Sequence, residues 1–115
     1  MKVHDWSKIE KESLNPLLAR QVVHTSQLTI ARIHLSRGAV VPEHSHANEQ
    51  VTTLLDGSIK FVYPDGEITL RPGETLEIPS HVPHRVEALE DSLALDIFAP
   101  RREDWIRGDD AYLRR

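Results

Sequence analysis

Four side chains in two short stretches have the types and spacing to hold a metal ion: His44, His46 and Gln50 in the first, His84 in the second. Residues two apart on an extended segment point the same way, so the imidazoles of His44 and His46 can reach one ion. Gln50, four residues past His46, keeps that parity, and His84 comes from a separate stretch to close the site from across the fold. Three imidazoles and an amide oxygen suit one borderline divalent ion per chain, Zn, Ni, Fe, Mn or Co, and leave positions open for water or a small-molecule substrate. The chain has no cysteine. Thiolate ligands, disulfides and cysteine nucleophiles are thereby excluded together, and any metal must use nitrogen and oxygen donors.

A fifth group stands in the run from Ser92 to Ala99, an apolar stretch interrupted by the carboxylate of Asp96. A buried charge needs an ion pair, a hydrogen-bond network or a water-filled cavity beside it. Strand parity puts Asp96 and Phe98 on one face and Leu93, Leu95 and Ile97 on the other. If the first face looks inward at a cavity, the second is an apolar outer face that a second copy could cover, which predicts a homodimer.

The elements that must position these groups read as short strands divided by turn residues, without sustained helical periodicity. Strands are predicted at 28–35, 51–55, 58–63, 67–70, 75–78, 84–89 and 93–99. Asp56-Gly57 lies between two of them as a strong hairpin signal, and Pro64-Asp65-Gly66 supplies the next turn. Turns at this spacing predict an all-β sandwich or barrel. Residues 1–21 and 101–115 break the rhythm. The first is predicted to be an arm or short helix lying over the barrel, the second a tail in which Trp105, Ile106, Tyr112 and Leu113 dock as a short helix. The core then covers about residues 22–100 of a single domain spanning 1–115, since 115 residues are too few for two cores. His81 lies in the turn Pro79-Ser80-His81-Val82-Pro83 and is not assigned to the metal, while Arg32 and His34 share an outward parity.

Composition narrows the function classes. With 39% hydrophobic and 28% charged residues the balance is that of a globular protein, neither disordered nor membrane-spanning. No apolar run is long enough for a span or a signal segment, which predicts a cytoplasmic location and no membrane partner. The formal charge of -4, with basic residues scattered, offers no stripe for a phosphate backbone, so nucleic acid is not an expected partner.

The full spacings are Gly38-x5-His44-x-His46-x3-Gln50-x6-Gly57 and Gly73-x5-Pro79-x-His81-x2-His84. They resemble the two motifs of the cupin superfamily, the first of which usually reads Gly-x5-His-x-His-x3-4-Glu-x6-Gly. The resemblance implies a single jelly-roll β-barrel with one divalent ion on His44, His46, Gln50 and His84. Three positions depart from it: Gln50 stands for the usual Glu, His81 for a Gly, and Ala88 for an Asn. A neutral Gln leaves the ion its full charge, making it a stronger Lewis acid and less readily oxidised. Glu49 is the rival ligand, but the interval to Gly57 and strand parity select Gln50.

The run from Asp96 to Trp105, with the His-x-His-x-x-Glu-Gln form of the first motif, is similar to the small cupins of pectin and alginate breakdown, which open 4,5-unsaturated monouronates to linear keto acids. That resemblance implies a pocket lined by the Asp-x-Phe-x-x-x-Arg element Asp96, Phe98 and Arg102. Asp96 would move a proton as general acid or base, Arg102 would pair with the substrate carboxylate, and Phe98 would form an apolar wall. The family pattern has a second Gln two residues past the Gln ligand, where this chain has Thr52. One fold hosts many activities, so an Fe(II) dioxygenase and a non-catalytic metal- or ligand-binding cupin stand as rival readings.

Overall fold

The computed structural model describes all 115 residues as two facing antiparallel sheets. The strands are β1 (Glu12–Asn15), β2 (Leu18–His24), β3 (Thr29–Leu35), β4 (Val40–His44), β5 (Glu49–Asp56), β6 (Ile59–Tyr63), β7 (Gly66–Leu70), β8 (Thr75–Ile78), β9 (His84–Ala88) and β10 (Ser92–Ala99). One sheet has the order β1-β2-β3-β10-β5-β8, the other β4-β9-β6-β7. The expected barrel is thus a jelly-roll sandwich whose sheets face each other without a hydrogen-bonded seam between them. No helix is long and apolar enough to cross a membrane.

Alternation fixes what each sheet turns inward. In β10, Ser92, Ala94 and Phe98 are buried, while Leu93, Leu95 and Ile97 face out, as the parity of the sequence requires. Leu54 of β5, Ile59 and Phe61 of β6, Val86 of β9 and Ala31 of β3 meet these side chains in one continuous core. The Asp56-Gly57 turn does not close the hairpin expected from the sequence: β5 and β6 lie in different sheets, and the chain crosses from one to the other at Gly57, whose φ of +93° lies in the left-handed region. A Cβ there would run into Ser92 and the Asp91 carbonyl, so the position needs glycine for space as well as for conformation.

Residues 1–21 differ from the expected arm. Only a 3-10 turn, Trp6–Lys8, lies over the sheet; β1 and β2 form a hairpin that extends the six-stranded sheet by two strands. The reason is that β2 is covered on both faces. Leu18 and Arg20 point inward, and Gln21 and Val23 are buried outward, where Gln21 Nε2 donates to the carbonyls of Trp6 and Ile9. The C-terminal segment is a short helix, α1 (Glu103–Arg107), and a 3-10 turn, Ala111–Arg114, as the docking residues suggested. Trp105 and Leu113 are buried, whereas Ile106 is exposed. Asn15 Nδ2 donates to the Leu113 carbonyl, and Arg20 and Arg114 both pair with Asp110, which pins this segment across one end of the sandwich.

Candidate metal centre

The two sheets bring the sequence motifs together at that end. His44 closes β4 and pairs in register with His84 at the start of β9. Pro42, which cannot donate to a ladder, is tolerated in β4 because β4 is an edge strand. His46 sits in the loop leading into β5, and Gln50 is the second residue of β5, opposite Phe98 of β10. That loop is held from outside: His81 N donates to the His46 carbonyl, Ser80 Oγ to the Ala47 carbonyl, and Asn48 Nδ2 to the Pro100 carbonyl. His81 itself has φ of +68°, a conformation that favours glycine, and its exposed side chain stays outside the cluster.

Each of the three histidines is oriented the same way. Nδ1 of His44 lies 2.7 Å from the Pro42 carbonyl, Nδ1 of His46 2.9 Å from that of Asn48, and Nδ1 of His84 2.8 Å from that of Val82. A carbonyl only accepts, so Nδ1 carries the proton and Nε2 keeps its lone pair. The candidate ligand atoms of the three rings all lie within 4.8 Å of one another. Burial pushes His44 and His46 down to about 4, with the neighbouring histidines and Arg102 adding to it against the backbone hydrogen bonds; burial lowers His84 as well. All three are therefore neutral near pH 7, the form that ligates.

Two observations show that a cation fits these residues. His84 Nε2 is buried with no hydrogen-bond partner in the chain. And Gln50 Oε1 lies 3.1 Å from His46 Nε2, one acceptor facing another, an arrangement that a shared cation makes favourable. Gln50 is only 5% exposed, and Glu49, its rival from the sequence, faces out.

Asp96, Phe98 and Arg102 line the same cavity as His44, Gln50 and His84. Asp96 has no ion pair. Thr52 Oγ1 donates to its Oδ1 at 2.7 Å, and that is its one hydrogen bond. Part of its surface is on the cavity, but protein surrounds it otherwise, and this desolvation raises it to about 6 against the opposing effects of Thr52 and Arg102. Neither Arg101 nor Arg102 forms a salt bridge with it: Arg101 pairs with Glu103, and Arg102 is held by both oxygens of Asp104, at 2.9 and 2.8 Å, and by Tyr112 Oη at 2.8 Å. Burial opposes the Arg102 charge, but Asp104 and Tyr112 outweigh it and hold the guanidinium above its ordinary value. Its Cζ lies 4.7 Å from the centroid of the Phe98 ring and 4.5 Å from that of Trp105, and only its Nε and Nη2 donate side-chain hydrogen bonds, leaving Nη1 without an acceptor in the chain.

Three side chains of this region carried no functional reading in the sequence. Thr52 stands between Gln50 and Asp96, and the sequence marked it only as a departure from the family pattern. Tyr112 stacks on His44 with ring centroids 4.7 Å apart, and Asp104 clamps Arg102. Both arrive from the C-terminal segment, whose path over the site no local pattern encodes. Thr52 and Tyr112, with Trp105 and Leu113, line a cavity of about 60 Å³.

The comparisons with known proteins agree with this geometry. The cupin domain family Cupin_2 matches residues 31–98, more than half of the chain. The structure is similar to that of KdgF from Halomonas sp., with a TM-score of 0.84 and 29% identity over 90% of this chain and 99% of that one. An RmlC-like cupin from Shewanella frigidimarina also gives a TM-score of 0.84, at 24% identity over 91% of this chain and 96% of the other, a likeness of fold alone. Among curated proteins, the acireductone dioxygenase of Microcystis aeruginosa is 39% identical over 46 residues, 36% of this chain. The match takes in only 25% of that relative's length.

Proposed function

Since the chain belongs to the Cupin_2 cupin domain family, we propose that it is a metal-dependent cupin enzyme that opens the ring of a small unsaturated sugar acid, such as a 4,5-unsaturated uronate. The observation that carries the reading is Asp96, a carboxyl group on the cavity with no cation partner, raised to about 6 and thus able to take and return a proton near neutral pH. The motif resemblance to the cupins of pectin and alginate breakdown and the end-to-end likeness to KdgF support it.

The reaction needs one proton moved and no oxidant. Asp96 takes the proton of the anomeric hydroxyl; the C1–O1 double bond forms as the C1–O5 bond breaks; the electrons of the resulting enolate then take a proton at C4. The product is an open chain with an aldehyde at C1 and a ketone at C5, an isomer of the substrate. Asp96 returns the proton it took. Arg102 offers its free Nη1 to the substrate carboxylate, and Phe98 supplies an apolar wall that keeps water off the enolate. His44, His46, Gln50 and His84 would hold one divalent ion, Zn, Ni, Fe, Mn or Co, whose chemistry when bound is Lewis-acid stabilisation of the developing oxyanion. Ligand sites usually measure about 300 Å³ or more, so a cavity of about 60 Å³ must widen to admit a sugar acid. The reading includes a homodimer packed through Leu93, Leu95 and Ile97.

The test is incubation of metal-loaded protein with 4,5-unsaturated uronates, following the absorbance of the double bond and identifying the product by NMR. Loss of absorbance that a chelator stops and one of the five metals restores is expected. Unchanged absorbance with every metal overturns the reading. A second reading, Fe(II)-dependent dioxygenation, is favoured by the acireductone dioxygenase match and predicts oxygen uptake that iron alone supports.

A further inference from the structure

Thr52 is 1% exposed on the inward face of β5, two residues from Gln50 and opposite Asp96 in the register with β10. Its hydroxyl has one proton, which it gives to Asp96 Oδ1 at 2.7 Å. The oxygen is then left as an acceptor, and it takes Gln50 Nε2 at 2.9 Å. A carboxamide has its donor on one side and its acceptor on the other, so this bond decides the rest. Gln50 Oε1 must turn away from Thr52 and toward His46 Nε2, 3.1 Å off. His46 has already given its Nδ1 proton to the Asn48 carbonyl, so the two atoms that meet are both acceptors.

A metal-free chain without that hydroxyl has a better choice. The carboxamide turns over, its NH2 donates to His46 Nε2, and one hydrogen bond satisfies both groups at the position the ion needs. Any ion would then have to break that bond and reverse the amide. The hydroxyl of Thr52 removes this competing state before the ion arrives.

We propose that Thr52 is a positioning residue that orients the Gln50 carboxamide oxygen-first toward the three histidines and so keeps the centre ready for a cation. This rests on the metal-site reading above and adds a residue that the ligand motif does not contain. Thr52 does not touch the ion; it acts through Gln50, and by the same hydroxyl it holds one oxygen of Asp96 while leaving the other for the cavity.

The experiment strips the full-length protein of metal and titrates it with Co(II), read by the visible absorption of the bound ion. It compares the native chain with Thr52→Val, Thr52→Ala and Thr52→Ser and records the melting temperature of each metal-free form. Thr52→Val keeps the shape and loses the hydroxyl; Thr52→Ala keeps the test alive should the second methyl disturb the core. Both should bind Co(II) about 10-fold more weakly or worse, the usual consequence of removing a group that orients a metal ligand. Thr52→Ser should restore native affinity. Native affinity in Thr52→Val and Thr52→Ala, with or without a lower melting temperature, overturns the proposal, as does a Thr52→Ser that binds as weakly as they do. If the native chain itself gives no Co(II) spectrum, it is the metal-site reading that falls and the role of Thr52 falls with it, a result distinct from native binding that Thr52 does not affect.

Discussion

An acid with no cation beside it, placed against three neutral imidazoles, gives the folded chain two titrations of opposite sign. Asp96 goes from the ordinary carboxyl value of 3.8 up to about 6 in the fold, so between these values the unfolded chain has lost the proton that the folded chain still holds. Metal-free stability from this group therefore falls as pH rises through the window, and above about 6 its charge costs at most about 3 kcal/mol. Asp96→Asn keeps an acceptor for Thr52 and removes the charge. It should raise the melting temperature of the metal-free protein at pH 7, leave it unchanged at pH 3.5, and lower turnover on the uronate about 100-fold. A lower melting temperature at pH 7 would show a cation partner for Asp96 in solution. His44 and His46 go the other way, from 6.5 down to about 4, so the unfolded chain binds more protons between these values. Their contribution is fully present above 6.5 and is lost as pH falls toward 4. With two such groups against one, the metal-free protein should become less stable from pH 6.5 to pH 4.5, and a titration of melting temperature that rises over this range contradicts the assignment. The spacing of His44, His46, Gln50 and His84 was legible because parity and motif intervals are local properties of strands. Thr52 was visible only as a departure from a pattern, since its role depends on two hydrogen bonds across a register that no interval reveals.

The strands differ in how openly they announce themselves, and the reason is what covers each face. Strands β3, β5, β6, β7, β8, β9 and β10 were readable from alternation and turn residues, because each has one face on the core and turn chemistry at its ends. β2 was not, because Arg20, Gln21 and His24 interrupt its pattern and are paid for by partners far away in sequence, Asp110 for Arg20 and the Trp6 and Ile9 carbonyls for Gln21. β4 was hidden by Pro42, which reads as a breaker unless its place at a sheet edge is known. The motif glycines open the same point to experiment. Gly38 and Gly57 both have φ near +90°, but a Cβ at Gly38 meets nothing within 4 Å, whereas at Gly57 it runs into the β10 entry at Asp91 and Ser92. Gly38→Ala should cost about 1 kcal/mol, the strain of the backbone alone. Gly57→Ala should cost about 3 kcal/mol or more, because strand β10, which carries Asp96 and Phe98, must move to make room. Urea unfolding of the two variants checks this, and equal losses would mean that the β5–β6 turn can shift without disturbing β10.

At the scale of the whole molecule, the six-stranded sheet has an outer face that one chain leaves bare. The 3-10 turn at Trp6 covers the β2 side of it, with the Arg32 guanidinium 5.8 Å from the Trp6 ring and His34 bonded to Gln21. Beyond that cover the register sets Ile97 between Ile30 of β3 and Val51 of β5, a row of three branched side chains across three strands. Leu95 and Leu93 continue along β10, and Leu55 on β5 is 45% exposed. The outward parity of Leu93, Leu95 and Ile97 carried the expectation of a homodimer, and the structure adds Ile30, Val51 and Leu55 to that face. A two-fold dimer would lay the face on its own copy, so that each side chain near the axis meets itself. Light scattering at micromolar concentration should then give twice the 13.1 kDa mass of the chain. Ile97→Glu should return it to one chain mass, because two-fold symmetry brings two like charges together in an apolar contact with no partner for either. The fold of the single chain should survive, since Ile97 is 36% exposed and its replacement empties no part of the core. A native protein that scatters as one chain, or an Ile97→Glu variant that scatters as two, would remove this face from the assembly and leave the row of Ile30, Ile97 and Val51 facing solvent.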